Sequence, residues 1–187
     1  LDIYLELGPK LISQNEVDQP ICFGLPFDGR NKYAPIYPLT AIILISENQP
    51  VVLQGSNRMP VKYGITTAEL FSNLGLDLLK TTLEQVQDGF HKNKFAFIYQ
   101  PNHFPLAESL TSYRDEIGKR TTLAMLELFW SSHRGNHLIA SGFVHPPTKG
   151  LARQALEQHG EDNMVFIQGL EGSTDIPISR KCILHHI

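Results

Sequence analysis

The chain has 187 residues, 42% hydrophobic and 19% charged, a composition that argues against intrinsic disorder and allows a domain with a sizeable core. Its formal net charge of −3 argues against a broad basic face for duplex nucleic acid, though not against a local basic patch. The longest apolar run, residues 39–45, is too short to cross a bilayer, and the two cysteines, Cys22 and Cys182, form no C-x-x-C pair, so a reducing, cytoplasmic setting is expected.

Residues 1–12 are apolar at mixed spacing and read as the tail of a helix. Residues 20–24 read as a short buried strand, followed by a turn-rich loop over 25–35. Residues 39–46 are ambiguous: their isoleucines favour a strand, while their place after a glycine-containing loop favours a helix. Residues 50–54 form a strand, 55–64 a polar loop, and 68–74 a helix capped by Thr66 or Thr67 and stopped by Gly75. A second helix starts near residue 81, with Glu84 or Gln85 placed three residues after its cap. A strand at 94–99 leads into a loop at 100–105 and helices at 106–117 and 121–129. Strand 137–144, helix 149–159, strand 164–168 and loop 169–178 follow, and 182–187 reads as a further strand. The alternation predicts an α/β fold with a mostly parallel central sheet flanked by helices. We expect residues 1–19 to be the end of a helical segment or a linker, residues 20–187 to be the α/β core, and the chain to be a piece of a longer protein.

Ligands of open parallel sheets bind beyond the carboxyl ends of the strands. The loops after strands, 25–35, 55–64, 100–105 and 169–176, are therefore expected to converge on one cleft. The first carries Asp28, Gly29, Arg30, Asn31 and Lys32; the second carries Ser56, Asn57, Arg58 and Lys62 ahead of a helix start. Cations beside backbone N–H groups suit phosphate, although two solvated loops would look the same in sequence. Loop 169–176 offers Glu171, Thr174 and Asp175. Carboxylates near a phosphate site suit Mg2+, although a turn built on Gly169 and Gly172 with exposed acids explains the stretch equally well. Of the eight histidines, His185 and His186 are adjacent while His103, His133, His137 and His145 are scattered, and they read as structural or exposed. No nucleophile elbow and no Walker-type phosphate loop occurs.

The loops also carry a resemblance. Val51-Val-Leu-Gln-Gly-Ser-Asn-Arg58 resembles the V-V-K-H-G-N-R segment of anthranilate phosphoribosyltransferases. Lys62-Tyr-Gly64 and Ala68-Glu-Leu-Phe-Ser-Asn-Leu-Gly75 are similar to the S-K-S-G-S-A-D and L-E-A-L-G that follow it. Phe97-Ile-Tyr-Gln-Pro-Asn-His103 looks like F-L-F-A-P-N-H, and Tyr113-Arg-Asp-Glu-Ile-Gly-Lys-Arg-Thr121 like V-R-R-E-L-G-I-R-T. Leu138-Ile-Ala-Ser-Gly-Phe-Val-His-Pro146 resembles L-I-G-V-Y-H-P, and Phe166-Ile-Gln-Gly169 resembles V-V-H-G ahead of the family's D-E metal pair. The matches are collinear from about residue 20 to about residue 180.

The resemblance implies a phosphoribosyltransferase of tryptophan biosynthesis: Mg2+-assisted transfer of a phosphoribosyl group from phosphoribosyl pyrophosphate (PRPP) to an amine, in a homodimer. It implies Asp28, Gly29, Arg30, Lys32, Asn57, Arg58 and Lys62 at the donor, Asn102, His103 and Arg114 at the acceptor, and Glu171 and Asp175 at the metal, with Asp28 alongside them. Where the family reads G-T-G-G-D-G, this chain reads Gly24-Leu-Pro-Phe-Asp-Gly29; the D-E pair falls on Thr174-Asp175, and the lysine and histidine of K-H-G are Leu53 and Gln54. Glycines let a backbone approach phosphate, and a proline removes an N–H donor. Residues 26–39 are more similar to a paralogous subfamily that includes nucleic-acid binders. The alternative expectation is therefore a non-catalytic protein that grips single-stranded nucleic acid or another phosphorylated ligand through the same basic loops.

Overall fold

The computed structural model describes residues 1–15 and 19–187. Strands β2 (Ile21–Gly24), β3 (Val51–Gly55), β4 (Phe95–Tyr99), β6 (Leu138–Gly142), β7 (Met164–Ile167) and β8 (Leu184–His186) form one six-stranded sheet in the order β4-β3-β2-β6-β7-β8. All neighbours are parallel except the β7–β8 edge pair. A separate parallel pair joins β1 (Leu11–Ile12) to β5 (His133–Arg134). The fold is thus the α/β architecture expected from the alternating pattern.

Period-two side-chain alternation divides the core. Phe23, Val51, Leu53, Phe97 and Tyr99 face one side, where Tyr37 and Ala41 of α2 (Tyr37–Ser46) and Ala68 and Phe71 of α3 (Thr67–Asn73) cover them. Cys22, Val52, Ala96 and Ile98 face the other side, against Val86 and Phe90 of α4 (Leu83–Asn93). Farther along that side, Ile139, Met164 and Phe166 pack against Ala152 and Leu156 of α9 (Pro146–Gln158) and against Phe129.

Local chemistry sets the element ends. Thr66 caps α3 in a reciprocal box with Glu69, and Thr82 caps α4 in the same way with Gln85. The ambiguous 39–46 stretch is the body of α2, with Pro38 in its first turn. Leu39, Ile42 and Ile43 of this helix are 55%, 47% and 63% exposed, so its apolar residues are not confined to the core face. Residues 1–12, read as one helix tail, form α1 (Asp2–Leu7) and then β1. The loop expected at 100–105 contains a single helical turn, α5 (Gln100–His103). The helix expected at 106–117 is two pieces, α6 (Pro105–Ser109) and α7 (Ser112–Ile117), and the next, α8 (Thr122–Leu126), is shorter than expected. At the break, the Ser109 and Ser112 hydroxyls bond the carbonyls of Leu106 and Ser109, an alternative to continuing the helix.

Chain order places the functional end. The chain runs outward through β2, β3 and β4, then returns to β6 on the other side of β2. The switch point therefore lies between β2 and β6, where ligands of such sheets bind.

Candidate functional site

Three of the four loops expected to converge do so through direct bonds. Arg30 and Ile65 exchange backbone hydrogen bonds of 3.0 and 2.9 Å, stitching the loop after β2 to the loop after β3. The loop after β7 closes onto both through side chains. Arg30, 1% exposed, donates from Nε to Glu171 Oε1 at 3.2 Å, and from one terminal nitrogen to Ser173 Oγ and Asp175 Oδ2 at 2.7 Å each. The other terminal nitrogen of Arg30 has no partner among the described residues.

Glu171 also accepts the backbone N–H groups of Lys32 at 2.9 Å and of Asn31 and Tyr33 at 3.2 Å. Burial pushes its carboxyl up, but these N–H bonds and the Lys62 charge outweigh that and hold it down at about 2. Lys62 Nζ lies 3.4 Å from Glu171 Oε2 and 3.3 Å from the Gly29 carbonyl. Burial, then the nearby Arg120 charge, lowers the Lys62 ammonium below its usual range. Asp28, 2% exposed, takes both Arg120 bonds at 2.8 Å in a bidentate pair. Three cations, Arg30, Lys62 and Arg120, are thus matched by three carboxylates, Asp28, Glu171 and Asp175.

Lys32, Asn57 and Arg58, also expected at the donor, are exposed and take no part in these ion pairs. Asn57 accepts from the Tyr99 hydroxyl at 2.7 Å, and Arg58, with its side chain 55% exposed, pairs with Glu69 at 2.7 Å. The expected acceptor residues are engaged in holding the fold. Asn102 donates to the Leu79 carbonyl. His103 accepts from the Tyr99 N–H at 3.0 Å and lies 2.8 Å from the Thr81 carbonyl, so the ring pins α5 to the segment before α4. Burial lowers its imidazole, and the Thr81 contact opposes that. Arg114 is buried and bonds Glu127 and the Met59 sulfur.

A cavity of about 200 Å³ opens at the switch point. Pro26 and Asp28 line it from the loop after β2, Val144 and His145 from the loop after β6, Arg120 from the link between α7 and α8, Glu127 from just after α8, and Thr148 from α9. Arg120, Glu127, His145 and Thr148 were not singled out in the sequence. Arg120 lies inside the stretch resembling R-E-L-G-I-R-T, and only its separation from Asp28 in sequence hid its role.

A Mg2+ ion does not fit the carboxylates as they stand. The resemblance implies Glu171 and Asp175, but Arg30 already lies between them, and Asp175 Oδ2 also accepts the Ile36 N–H at 2.9 Å. Among the described residues, no group of three or more His, Cys, Asp or Glu side chains could form a metal cage. His133 and His137, four residues apart, meet edge to face at 5.5 Å beside the N-terminal ends of the strands. No helix among the described residues is long and apolar enough to cross a membrane.

No protein-family profile matches the chain. An uncharacterized protein of Aquifex aeolicus is 26% identical over 154 residues, 81% of this chain and 44% of that protein. An anthranilate phosphoribosyltransferase of Albidiferax ferrireducens is 26% identical over 106 residues, 57% of this chain and 28% of the enzyme. Among solved structures, the Saccharomyces cerevisiae enzyme in complex with PRPP and Mg superposes with a TM-score of 0.74 at 16% identity, covering 100% of this chain and 49% of that one. The Thermus thermophilus enzyme gives 0.70 at 20% identity, covering 95% and 49%. This chain therefore spans about half the length, or less, of the proteins it matches. The chain is thus similar to anthranilate phosphoribosyltransferases in sequence over part of its length, and it shares their fold.

Proposed function

We propose that this chain is the ligand-binding core of a phosphoribosyltransferase-like protein, and that it holds a phosphorylated small molecule in the crevice between the ends of β2 and β6. The observation that carries this reading is the cavity at the topological switch point with Arg120 in its wall. An entering phosphate competes with Asp28 for the Arg120 fork and with Glu171 for Lys62, while Lys32 and Arg58 add charge from exposed positions. The cavity, about 200 Å³, is smaller than the roughly 300–1,000 Å³ of drug-sized sites, so it suits one phosphorylated group better than a donor and an acceptor together.

A second reading keeps the transfer of a phosphoribosyl group from PRPP to an amine. It is supported by the likeness to anthranilate phosphoribosyltransferases, one of them solved with PRPP and Mg. Binding ranks first because Asn102, His103 and Arg114 are committed to structural partners, and the altered loop has Leu25, Pro26 and Phe27 in place of small residues. Single-stranded nucleic acid as the ligand, and pairing of two copies, rest on the resemblance alone.

The test is calorimetric titration with PRPP, with and without Mg2+, on the natural chain and on Arg120→Gln. The expected result is saturable binding that Arg120→Gln weakens on the order of tenfold or more, as loss of a bidentate charged contact does. No binding at millimolar PRPP overturns a PRPP-type ligand. Release of pyrophosphate on adding anthranilate puts the transfer reading first.

A further inference from the structure

Arg30 has a side chain 0% exposed, and its guanidinium lies between the two carboxylates that the resemblance assigns to a metal. We propose that this guanidinium is the resident cation of the site, so that the chain is metal-free by construction and Mg2+ is excluded by charge and by occupancy. The inference stands whichever ligand the crevice takes.

Three observations support it. The guanidinium reaches Glu171 at 3.2 Å and Asp175 at 2.7 Å, so its charge is spent on both, and an added divalent ion would sit against a cation. The guanidinium is fully enclosed, its side chain 0% exposed. It is also held in place. The Arg30 main chain is bonded to Ile65 on both sides, and Ser173 Oγ accepts from the same nitrogen as Asp175.

The carboxylates are committed as well. Glu171 gathers the N–H groups of residues 31, 32 and 33, and Asp175 gathers that of Ile36. Turning either toward a metal would leave those donors unpaired, in addition to displacing Arg30. The cluster is charge-balanced as it stands, so no metal ion is needed to neutralise its carboxylates.

Manganese, which is paramagnetic and takes the same oxygen ligands as Mg2+, is the probe. Electron paramagnetic resonance of Mn2+ titrated into the natural chain is expected to show only the free-ion signal at millimolar metal. Arg30→Met removes the charge and keeps much of the bulk. It is expected to gain Mn2+ affinity on the order of tenfold or more, and to lose that gain when Asp175→Asn is added. The proposal is overturned if the natural chain binds one Mn2+ that Asp175→Asn abolishes, or if folded Arg30→Met binds none. Should Arg30→Met fail to fold, the natural chain beside its Asp175→Asn variant still decides. Absence of Mn2+ from both upholds the proposal, and an ion bound only by the natural chain sinks it. Failure of the crevice to bind PRPP would leave each of these readouts unchanged.

Discussion

Arg114 and Glu127 form an ion pair with side chains only 4% and 2% exposed. The second Glu127 oxygen accepts the Phe27 N–H, so the pair braces the loop after β2. An arginine matched in sequence to an acceptor-binding residue therefore holds structure here. Removing one partner of a buried pair strands the other, at a cost of roughly 3–5 kcal/mol. Arg114→Ala is expected to lose that much stability in urea unfolding, and Arg114→Met with Glu127→Leu to recover most of it. An unchanged midpoint with weakened ligand binding would return Arg114 to the acceptor site.

Arg58 is the opposite case. Its pair with Glu69 is exposed, 55% and 34% by side chain, and exposed pairs contribute only about 0–1 kcal/mol. Arg58→Ala is therefore expected to leave the unfolding midpoint almost unchanged. If Arg58 supplies charge to a phosphorylated ligand, calorimetric affinity should fall several-fold, and the salt dependence should flatten. Unchanged affinity removes Arg58 from the site.

The alternation of strand and helix was legible because it rests on local periodicity and capping. Thr66 with Glu69 and Thr82 with Gln85 are visible within four residues. Convergence of three of the four loops was legible too, since parallel strands send their carboxyl ends the same way. The pairings were not. Arg30 meets Asp175 across 145 positions, and Asp28 meets Arg120 across 92, with no local signal for either. The sequence therefore exposed which loops meet, while leaving hidden that their charges cancel one another. Residues 39–46 were ambiguous because α2 carries apolar side chains on its exposed face as well as its covered one.

His133 makes stability depend on pH. Burial, followed by the charges of His137 and Arg134, lowers its imidazole to about 4. In the unfolded chain it titrates near its ordinary value of about 6.5. Between those values the unfolded state binds more protons, so stability is full above about pH 6.5 and falls as pH drops toward 4. His133→Gln is expected to flatten urea midpoints across that window. An identical slope in both proteins would assign the effect to another group.

Glycine positions test whether the site loop is built on close backbone contact. A Cβ at Gly142, at the end of β6, would lie 2.2 Å from the Gly172 carbonyl oxygen and 2.3 Å from that of Ser173. These are backbone atoms of the loop that delivers Glu171 and Asp175, so the strand or the loop must move. Gly142→Ala is expected to cost roughly 1–3 kcal/mol in urea unfolding, the range for overpacking, and to raise hydrogen exchange at residues 170–176 as the Arg30 contacts loosen. Gly150 in α9 is the internal control, because a Cβ there meets nothing within 4 Å and the position is helical. Gly150→Ala should stabilise by about 0.5–1 kcal/mol through helix propensity and leave exchange in the loop unchanged. If both alanines behaved alike, close approach of β6 to the loop would not be what seats Glu171 against Arg30.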